Sequence, residues 1–327
     1  MSDDSSGATI FRVLSLDGGG AKGFYTLGVL KEIEGITQRP LVRSFDIIFG
    51  TSTGAIIAGL LAVGKTIDEV HGLYKEHVPA IMRAKRPIDK SAALEAAGNA
   101  IFGEQKFEGL PVHLGIVAAR WEQETPIVFK TSVAQAHGRA GTFKPGFGVT
   151  LSEAVQASCS AYPFFASKTV VIDGGSKVEL IDGGFCANNP AVYAIADALG
   201  PLAVPRERLR VVSVGTGSFP EPVKGSYIRA RNLALDFILK RFDYSAYFFE
   251  KTLHINTGSM EALRYALFKD IATVRINNSY TEPHLACDFL EYNLNKLDLL
   301  YQRGRQSIQD HEAKLRQFLV KTNGRGG

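Results

Sequence analysis

Apolar residues along this chain fall into short runs that are separated by glycine-rich turns. Residues 11–16 (FRVLSL) and 45–49 (FDIIF) each predict a strand that is buried on at least one face. Glycines follow each strand, and helical spacing then follows over 24–34 and over 55–63. This order of strand, turn and helix predicts an α/β fold with a mostly parallel central sheet.

The same patterns continue to about residue 214, and Thr66 with Glu69 predicts a capped helix start. Residues 80–110 predict only small helices or loops, and the chain turns helical and aromatic after 222. No internal repeat or long linker is present, so we predict one domain over 10–320 with flexible tails at 1–9 and 322–327. The further predicted strands are 112–118, 126–129, 170–172, 178–181 and 208–214, and the further predicted helices are 151–159 and 191–199.

Composition places the chain among ordinary folded proteins. Hydrophobic residues make up 45% and charged residues 21%, which excludes a disordered chain. Three cysteines without C-x-x-C spacing predict neither a disulfide framework nor a metal site. The acidic N-terminus is unlike a signal peptide, and the most apolar stretch, 54–64, is too short to span a bilayer. These features predict a cytoplasmic protein, and the net charge of +4 is compatible with anionic membranes or nucleotides.

The turn Gly50–Gly54 (GTSTG) fits the pattern G-x-S-x-G. In that pattern a serine sits on a sharp strand-to-helix turn, and Gly50 and Gly54 leave room for the backbone to bend and for a carbonyl to approach. An apolar strand ends just before this turn and an apolar helix begins just after it. The context therefore favours Ser52 as a nucleophile over an ordinary Gly/Ser turn.

The glycine run Gly18–Gly23 (GGGAKG) follows the first strand and matches G-x-G-x-x-G. Its amide N–H groups could cradle a dinucleotide pyrophosphate, or they could hold the oxyanion of a tetrahedral intermediate. A dinucleotide site expects an acidic residue after the second strand, where this chain has Ser52 instead. We therefore favour an oxyanion hole whose donors are the amides of Gly18, Gly19 and Gly20. A nucleotide-binding protein that uses this loop remains an alternative.

A second phosphate-binding pattern, G-x-x-x-x-G-K-T over 59–66, is not interpreted as a nucleotide site. A P-loop follows a strand and forms a cradle, whereas this spacer (LLAV) is the end of a predicted helix. Thr66 is better explained as a helix cap.

A serine nucleophile needs a base, and two Asp-Gly-Gly turns supply candidates. Asp182 follows an apolar strand and precedes a polar turn that ends in Asn-Pro, so it can line a site. Asp173 fits a hairpin turn that needs no chemistry, so we favour Asp182. A conventional Ser-Asp-His triad with His254 or His284 remains an alternative, although none of the seven histidines lies in a Gly-rich context.

Together, the motifs at Asp17–Gly23, Gly50–Gly54 and Asp182–Pro190 resemble the patatin-like phospholipase family. The resemblance implies a three-layer sandwich and a lipid acyl hydrolase with a Ser52–Asp182 dyad. It implies no metal and no cofactor. Lys22 stands where many members carry Arg, which keeps the charge but loses bidentate contacts. The remaining residues that support the motifs are Lys22, Gly23, Gly50, Gly54, Gly183 and Gly184.

Within that family, the chain's size and the spelling of its first motif resemble the phospholipase effectors of CBASS antiphage systems. This resemblance implies activation by a cyclic dinucleotide such as cGAMP and attack on membrane phospholipid at the inner membrane surface. It implies no nucleic-acid partner, and it leaves a homo-oligomer open. An unregulated housekeeping or secreted phospholipase is the alternative subtype.

Two basic segments remain after these assignments. Residues 227–242, with the aromatics up to Phe249, could lie on a membrane, cover an acyl site or help to bind a nucleotide. A buried amphipathic helix is the simpler interpretation of that segment. The patch formed by Arg83, Lys85 and Arg86 predicts a solvated loop and is a candidate for phosphate contact.

Overall fold

The computed structural model describes residues 9–220, 222 and 233–320. Over 233–247 it describes the backbone and not the side chains. The predicted tails therefore lie outside the described residues, apart from residue 9. The side chains of the predicted basic segment 227–242 also lie outside them.

Eight strands form one sheet in the order β5-β6-β3-β2-β1-β7-β8, with β4 paired to β3. The pairs β3-β2, β2-β1, β1-β7 and β7-β8 are parallel, and the pairs β3-β4, β3-β6 and β5-β6 are antiparallel. The prediction of a mostly parallel α/β sheet is confirmed. The strands are β1 (Phe11–Leu16), β2 (Ile47–Thr51), β3 (His113–Arg120), β4 (Thr125–Lys130), β5 (Lys168–Val171), β6 (Lys177–Asp182), β7 (Leu209–Val214) and β8 (Ala272–Ile276).

Helices cover both faces of this sheet, because alternate strand residues feed two separate cores. In β1, Leu14 and Leu16 join the larger core, whereas Val13 joins the core on the opposite face. The three-layer arrangement is confirmed. The helices are α1 (Gly23–Thr37), α2 (Thr53–Ala62), α3 (Ile67–Arg83), α4 (Pro87–Phe102), α5 (Leu151–Ser158), α6 (Gly184–Ala187), α7 (Ala191–Leu199), α8 (Leu233–Phe268), α9 (Leu294–Gln306) and α10 (Glu312–Leu319).

Helix starts follow the local signals closely. The Thr66 hydroxyl accepts the Glu69 N–H at 3.3 Å, and the Thr66 N–H donates to the Glu69 carboxylate at 2.8 Å, so the predicted capping box is confirmed. Gly59 lies inside α2, and the rejection of a P-loop at 59–66 is therefore confirmed. The expectation of small helices or loops over 80–110 is wrong in part, because α4 is one helix of 16 residues.

The ends of β2 and β6 meet on one edge of β3. Strand β4 overlaps both of them along β3, so it must occupy the other edge. Thr51 at the end of β2 is paired with Val117, and Asp182 at the end of β6 is paired with the next residue, Ala118. The two strands therefore approach each other end to end. This register brings the residues that follow Thr51 to Asp182.

Gly50 should tolerate no side chain, because a Cβ there would lie 2.2 Å from the Gly54 carbonyl oxygen. We expect Gly50→Ala to lower the free energy of unfolding by about 3 kcal/mol, the upper end of overpacking costs. Gly35→Ala is the matched control, since Gly35 is an exposed helix residue with no neighbour to clash with. That control should gain up to about 1 kcal/mol. Urea denaturation measures both, and equal stability of the two variants would contradict the close approach.

Candidate active site

Ser52 occupies a strained turn between β2 and α2. Its backbone has φ 53° and ψ −122°, a conformation that costs free energy for any residue but glycine. The Ser52 N–H donates to the Ser158 hydroxyl at 2.9 Å, and that hydroxyl donates to the Val117 carbonyl at 2.5 Å. These bonds tie the turn to α5 and β3. The geometry is that of a nucleophile elbow, in which the serine side chain projects from the end of the sheet.

The motif glycines are required by close approaches of the backbone. A Cβ on Gly54 would lie 2.2 Å from the Leu16 carbonyl, and a Cβ on Gly183 would lie 2.2 Å from the Val117 carbonyl. A Cβ on Gly23 would lie 2.3 Å from the Thr53 hydroxyl. The first strand, the elbow and the Asp-Gly-Gly turn are thus packed backbone against backbone around Ser52.

Asp182 is a buried carboxylate beside this elbow, with 1% of its surface exposed. Its Oδ1 accepts the Gly184 N–H at 2.7 Å, and its own N–H donates to the Ser160 carbonyl at 2.9 Å. Burial raises the pKa of Asp182 to about 7, although the Gly184 N–H and the Ser52 hydroxyl both pull that pKa down. A carboxyl that titrates near neutrality is suited to act as a general base.

Ser52 and Asp182 line the same apolar pocket, which also includes Gly20 of the glycine run. The cavity is small, about 50 Å³. Two side chains of α8, Phe249 and Leu253, form part of its wall. The apolar lining includes Ile56, Val78, Ile81, Met82, Leu94, Phe165, Phe249, Leu253 and Phe289.

The glycine run presents fewer free donors than the motif predicts. The Gly18 N–H donates to the Asn188 carbonyl at 2.9 Å, so it is not available to an oxyanion. Within the described part of the chain, the N–H groups of Gly19 and Gly20 have no acceptor. Gly20 has φ +57° and lies against the Phe289 carbonyl, where a side chain would not fit. Gly19 and Gly20 are therefore the available donors of the run, and Gly20 lines the Ser52 pocket.

Two ion pairs anchor the glycine run. In each pair the residue that contacts the run, Arg275 or Glu250, lies outside the sequence motifs. Arg275 on β8 forms a bidentate pair with Asp17, at 2.8 and 2.5 Å. Lys22 is buried and pairs with Glu250 on α8. The region after residue 220, in which the sequence shows no motif, thus supplies the support for the loop and the pocket wall. In the sequence, the aromatic run that ends at Phe249 is the one signal that this region covers the pocket.

The alternative base and the alternative triad are not brought to Ser52. Asp173 lies in the hairpin turn between β5 and β6 and pairs with Lys144 at 2.6 Å. None of the seven histidines, all of which lie in the described residues, lines the Ser52 pocket. His254 lines a neighbouring polar pocket with Lys22, and His284 lies in a short 3₁₀ turn. The arrangement favours the dyad over the triad.

Other candidate features are accounted for by local pairing. Arg86 forms a bidentate pair with Asp89, and Arg83 stacks on the Tyr292 ring. Among the described residues, no group of His, Cys, Asp or Glu is placed to hold a metal ion. None of the helices that the structure describes is both long and apolar enough to cross a membrane.

Comparisons with known proteins place the chain among phospholipases of one family. The chain is 53% identical over 311 residues to a "cUMP-AMP-activated phospholipase" of Escherichia coli, covering 95% of this chain and 94% of that protein. It is 27% identical to a "cGAMP-activated phospholipase" of Vibrio cholerae, covering 93% and 92%. The crystal structure of VipD from Legionella pneumophila superposes with TM-score 0.45 and 12% identity, covering 95% and 67%. Residues 14–195 match the family described as patatin-like phospholipase, and the chain belongs to that family.

Proposed function

We propose that this protein is a serine-dependent acyl hydrolase that cleaves ester bonds of membrane phospholipids. The observation that carries the proposal is the meeting of Ser52 and Asp182 in one apolar pocket beside the glycine run. The pocket wall suits an acyl chain, and the family of the chain hydrolyses lipid esters. In this proposal Ser52 is the nucleophile, Asp182 is the base, and Gly19 and Gly20 hold the oxyanion.

The mechanism has two halves that use the same base. Asp182 takes the Ser52 proton as the hydroxyl attacks the ester carbonyl, and the glycine N–H groups stabilise the charge that develops on oxygen. Protonated Asp182 then gives its proton to the leaving lysolipid alcohol. In the second half Asp182 activates water, which attacks the acyl-serine and releases the fatty acid.

We also propose that a cyclic dinucleotide activates the enzyme, as the names of both relatives say of them. The closed pocket supports an activation step, because about 50 Å³ is far below the 300–1,000 Å³ of ordinary ligand sites. Phe249 and Leu253 of α8 form part of the wall of this cavity. Movement of α8 would open it, and such an enzyme fits the role of a CBASS effector at the inner membrane surface.

Fatty-acid release from phospholipid vesicles tests both parts of this proposal. We expect little release by the protein alone, and at least tenfold faster release with cUMP-AMP, the activator named for the more similar relative. cGAMP and linear dinucleotides serve as comparisons. Equal release without any dinucleotide would contradict activation but leave the hydrolase. No release, together with no fluorophosphonate labelling of Ser52 under any condition, would contradict the hydrolase. Size-exclusion chromatography of the same samples tests whether the protein forms a homo-oligomer, which the sequence leaves open.

A further inference from the structure

Asn188 lies in the turn between α6 and α7 and is held in one orientation. It is 3% exposed, and its Nδ2 donates to the Gly18 carbonyl at 3.2 Å and to the Thr257 hydroxyl at 2.8 Å. A carbonyl only accepts, and the Thr257 hydroxyl uses its own proton on the Leu253 carbonyl at 3.0 Å. Both partners therefore need a donor, which fixes which atom of the amide is nitrogen and which is oxygen.

The remaining atom, Oδ1 of Asn188, is buried and accepts no hydrogen bond from the described residues. An unsatisfied buried acceptor costs roughly 1–3 kcal/mol, so such an atom calls for a donor. Asn188 lines the polar pocket, of about 270 Å³, that adjoins the Ser52 pocket. The two pockets share Leu253 and Phe289 in their walls.

Two glycines show where this oxygen lies. A Cβ on Gly18 would be 2.3 Å from Asn188 Oδ1 and 3.1 Å from the Ser52 Cβ. A Cβ on Gly184 would be 2.9 Å from the same oxygen and 3.1 Å from Asp182 Oδ1. The unpaired oxygen therefore packs against both glycines, on the side of Gly18 that faces the Ser52 Cβ and within about 6 Å of Asp182 Oδ1. One water can bridge two oxygens that lie within this distance of each other.

We propose that Asn188 is a further catalytic residue, whose Oδ1 accepts a hydrogen bond from the water that hydrolyses the acyl-enzyme. The proposal rests on the proposed function. The water donates one proton to Asp182 and the other to Asn188 Oδ1, so its lone pair faces the acyl carbon. A bond forms between the water oxygen and that carbon as Asp182 takes the proton. When the tetrahedral intermediate collapses, the bond from carbon to Ser52 Oγ breaks, Asp182 returns the proton to Oγ, and the fatty acid leaves.

Asn188→Ala should slow hydrolysis of the acyl-enzyme and leave its formation unchanged. With a p-nitrophenyl ester and cUMP-AMP, we expect the burst of p-nitrophenol to keep the wild-type amplitude. Steady-state turnover should fall about tenfold to hundredfold, the worth of one hydrogen bond to a developing charge. Intact-mass spectrometry after the ester is exhausted should then show an acyl group on Ser52 that persists about tenfold to hundredfold longer in the variant than in the wild type.

Two further variants decide between this role and a structural one. Asn188→Ser also removes Oδ1 but can keep a polar anchor, so it should accumulate the same acyl-enzyme even if the alanine variant folds poorly. Asp173→Asn, on the exposed hairpin between β5 and β6, keeps Asn188 and both partners of its amide, so its acyl-enzyme should be hydrolysed at the wild-type rate. Burst and steady state that slow together without an adduct in the Asn188 variants would overturn the proposal. A wild type that shows no burst and no labelling would count against the proposed function instead.

Discussion

Asp182→Asn should reduce ester hydrolysis by about 10⁴-fold or more while the protein stays folded. The amide cannot take the Ser52 proton, and losses of this size follow the removal of one member of a catalytic unit. Ser52→Ala should lose at least as much, and the double variant should be no slower than the worse single variant, because the two groups act together. Hydrolysis of a soluble ester in the presence of cUMP-AMP measures all three.

The hairpin carboxylate provides the matched control for this loss. Asp173→Asn removes an exposed acid that pairs with Lys144 and touches nothing at the elbow, so its activity should stay near that of the wild type. Activity lost in Asp173→Asn and kept in Asp182→Asn would overturn the assignment of the base.

The wild-type pH profile provides a second check on the same assignment. The pKa of Asp182 is raised to about 7, and only the ionised carboxylate can accept the Ser52 proton. The value of kcat/KM should therefore rise about tenfold per pH unit below pH 7 and level off above it. A flat profile between pH 5 and pH 8 would show that a different group is the base.

The sequence predicts the catalytic pair because each member sits in a self-contained turn. Gly50 and Gly54 mark the elbow in the sequence, and the Asp-Gly-Gly turn marks the end of β6. The two turns are brought together by strand register, because Thr51 pairs with Val117 on β3 and Asp182 pairs with the next residue, Ala118. No local pattern encodes that register.

Partners that lie far apart along the chain could not be predicted. Arg275 is 258 positions from Asp17, and Glu250 is 228 positions from Lys22, in regions without any motif. The sequence predicts the Gly18 N–H as an oxyanion donor because nothing in it shows that the Asn188 carbonyl accepts this N–H. Such pairings depend on how β8 and α8 pack against the glycine run, which is a tertiary property.

Asp182→Asn should raise the free energy of unfolding above neutral pH, although it removes the activity. Burial disfavours the carboxylate, so its folded pKa of about 7 exceeds an unfolded value of about 3.9. The stabilising effect of the neutral acid is complete below pH 4 and is lost as pH rises through 7. Asp182→Asn never carries that charge. It should therefore be more stable than the wild type by up to about 4 kcal/mol at pH 8, and by almost nothing at pH 4.

Urea denaturation of both proteins at pH 4.5 and pH 8 measures this difference, with Asp173→Asn as the control for loss of a surface acid. A gap between wild type and Asp182→Asn that is the same at both pH values would show that Asp182 is not held against its preferred ionisation. A gap that opens with pH would mean that the conditions that ionise the base for catalysis are those in which its burial costs most. The free-energy cost of burying the ionised carboxylate must then be offset by packing in the rest of the fold. This is expected where function is maintained at the expense of stability.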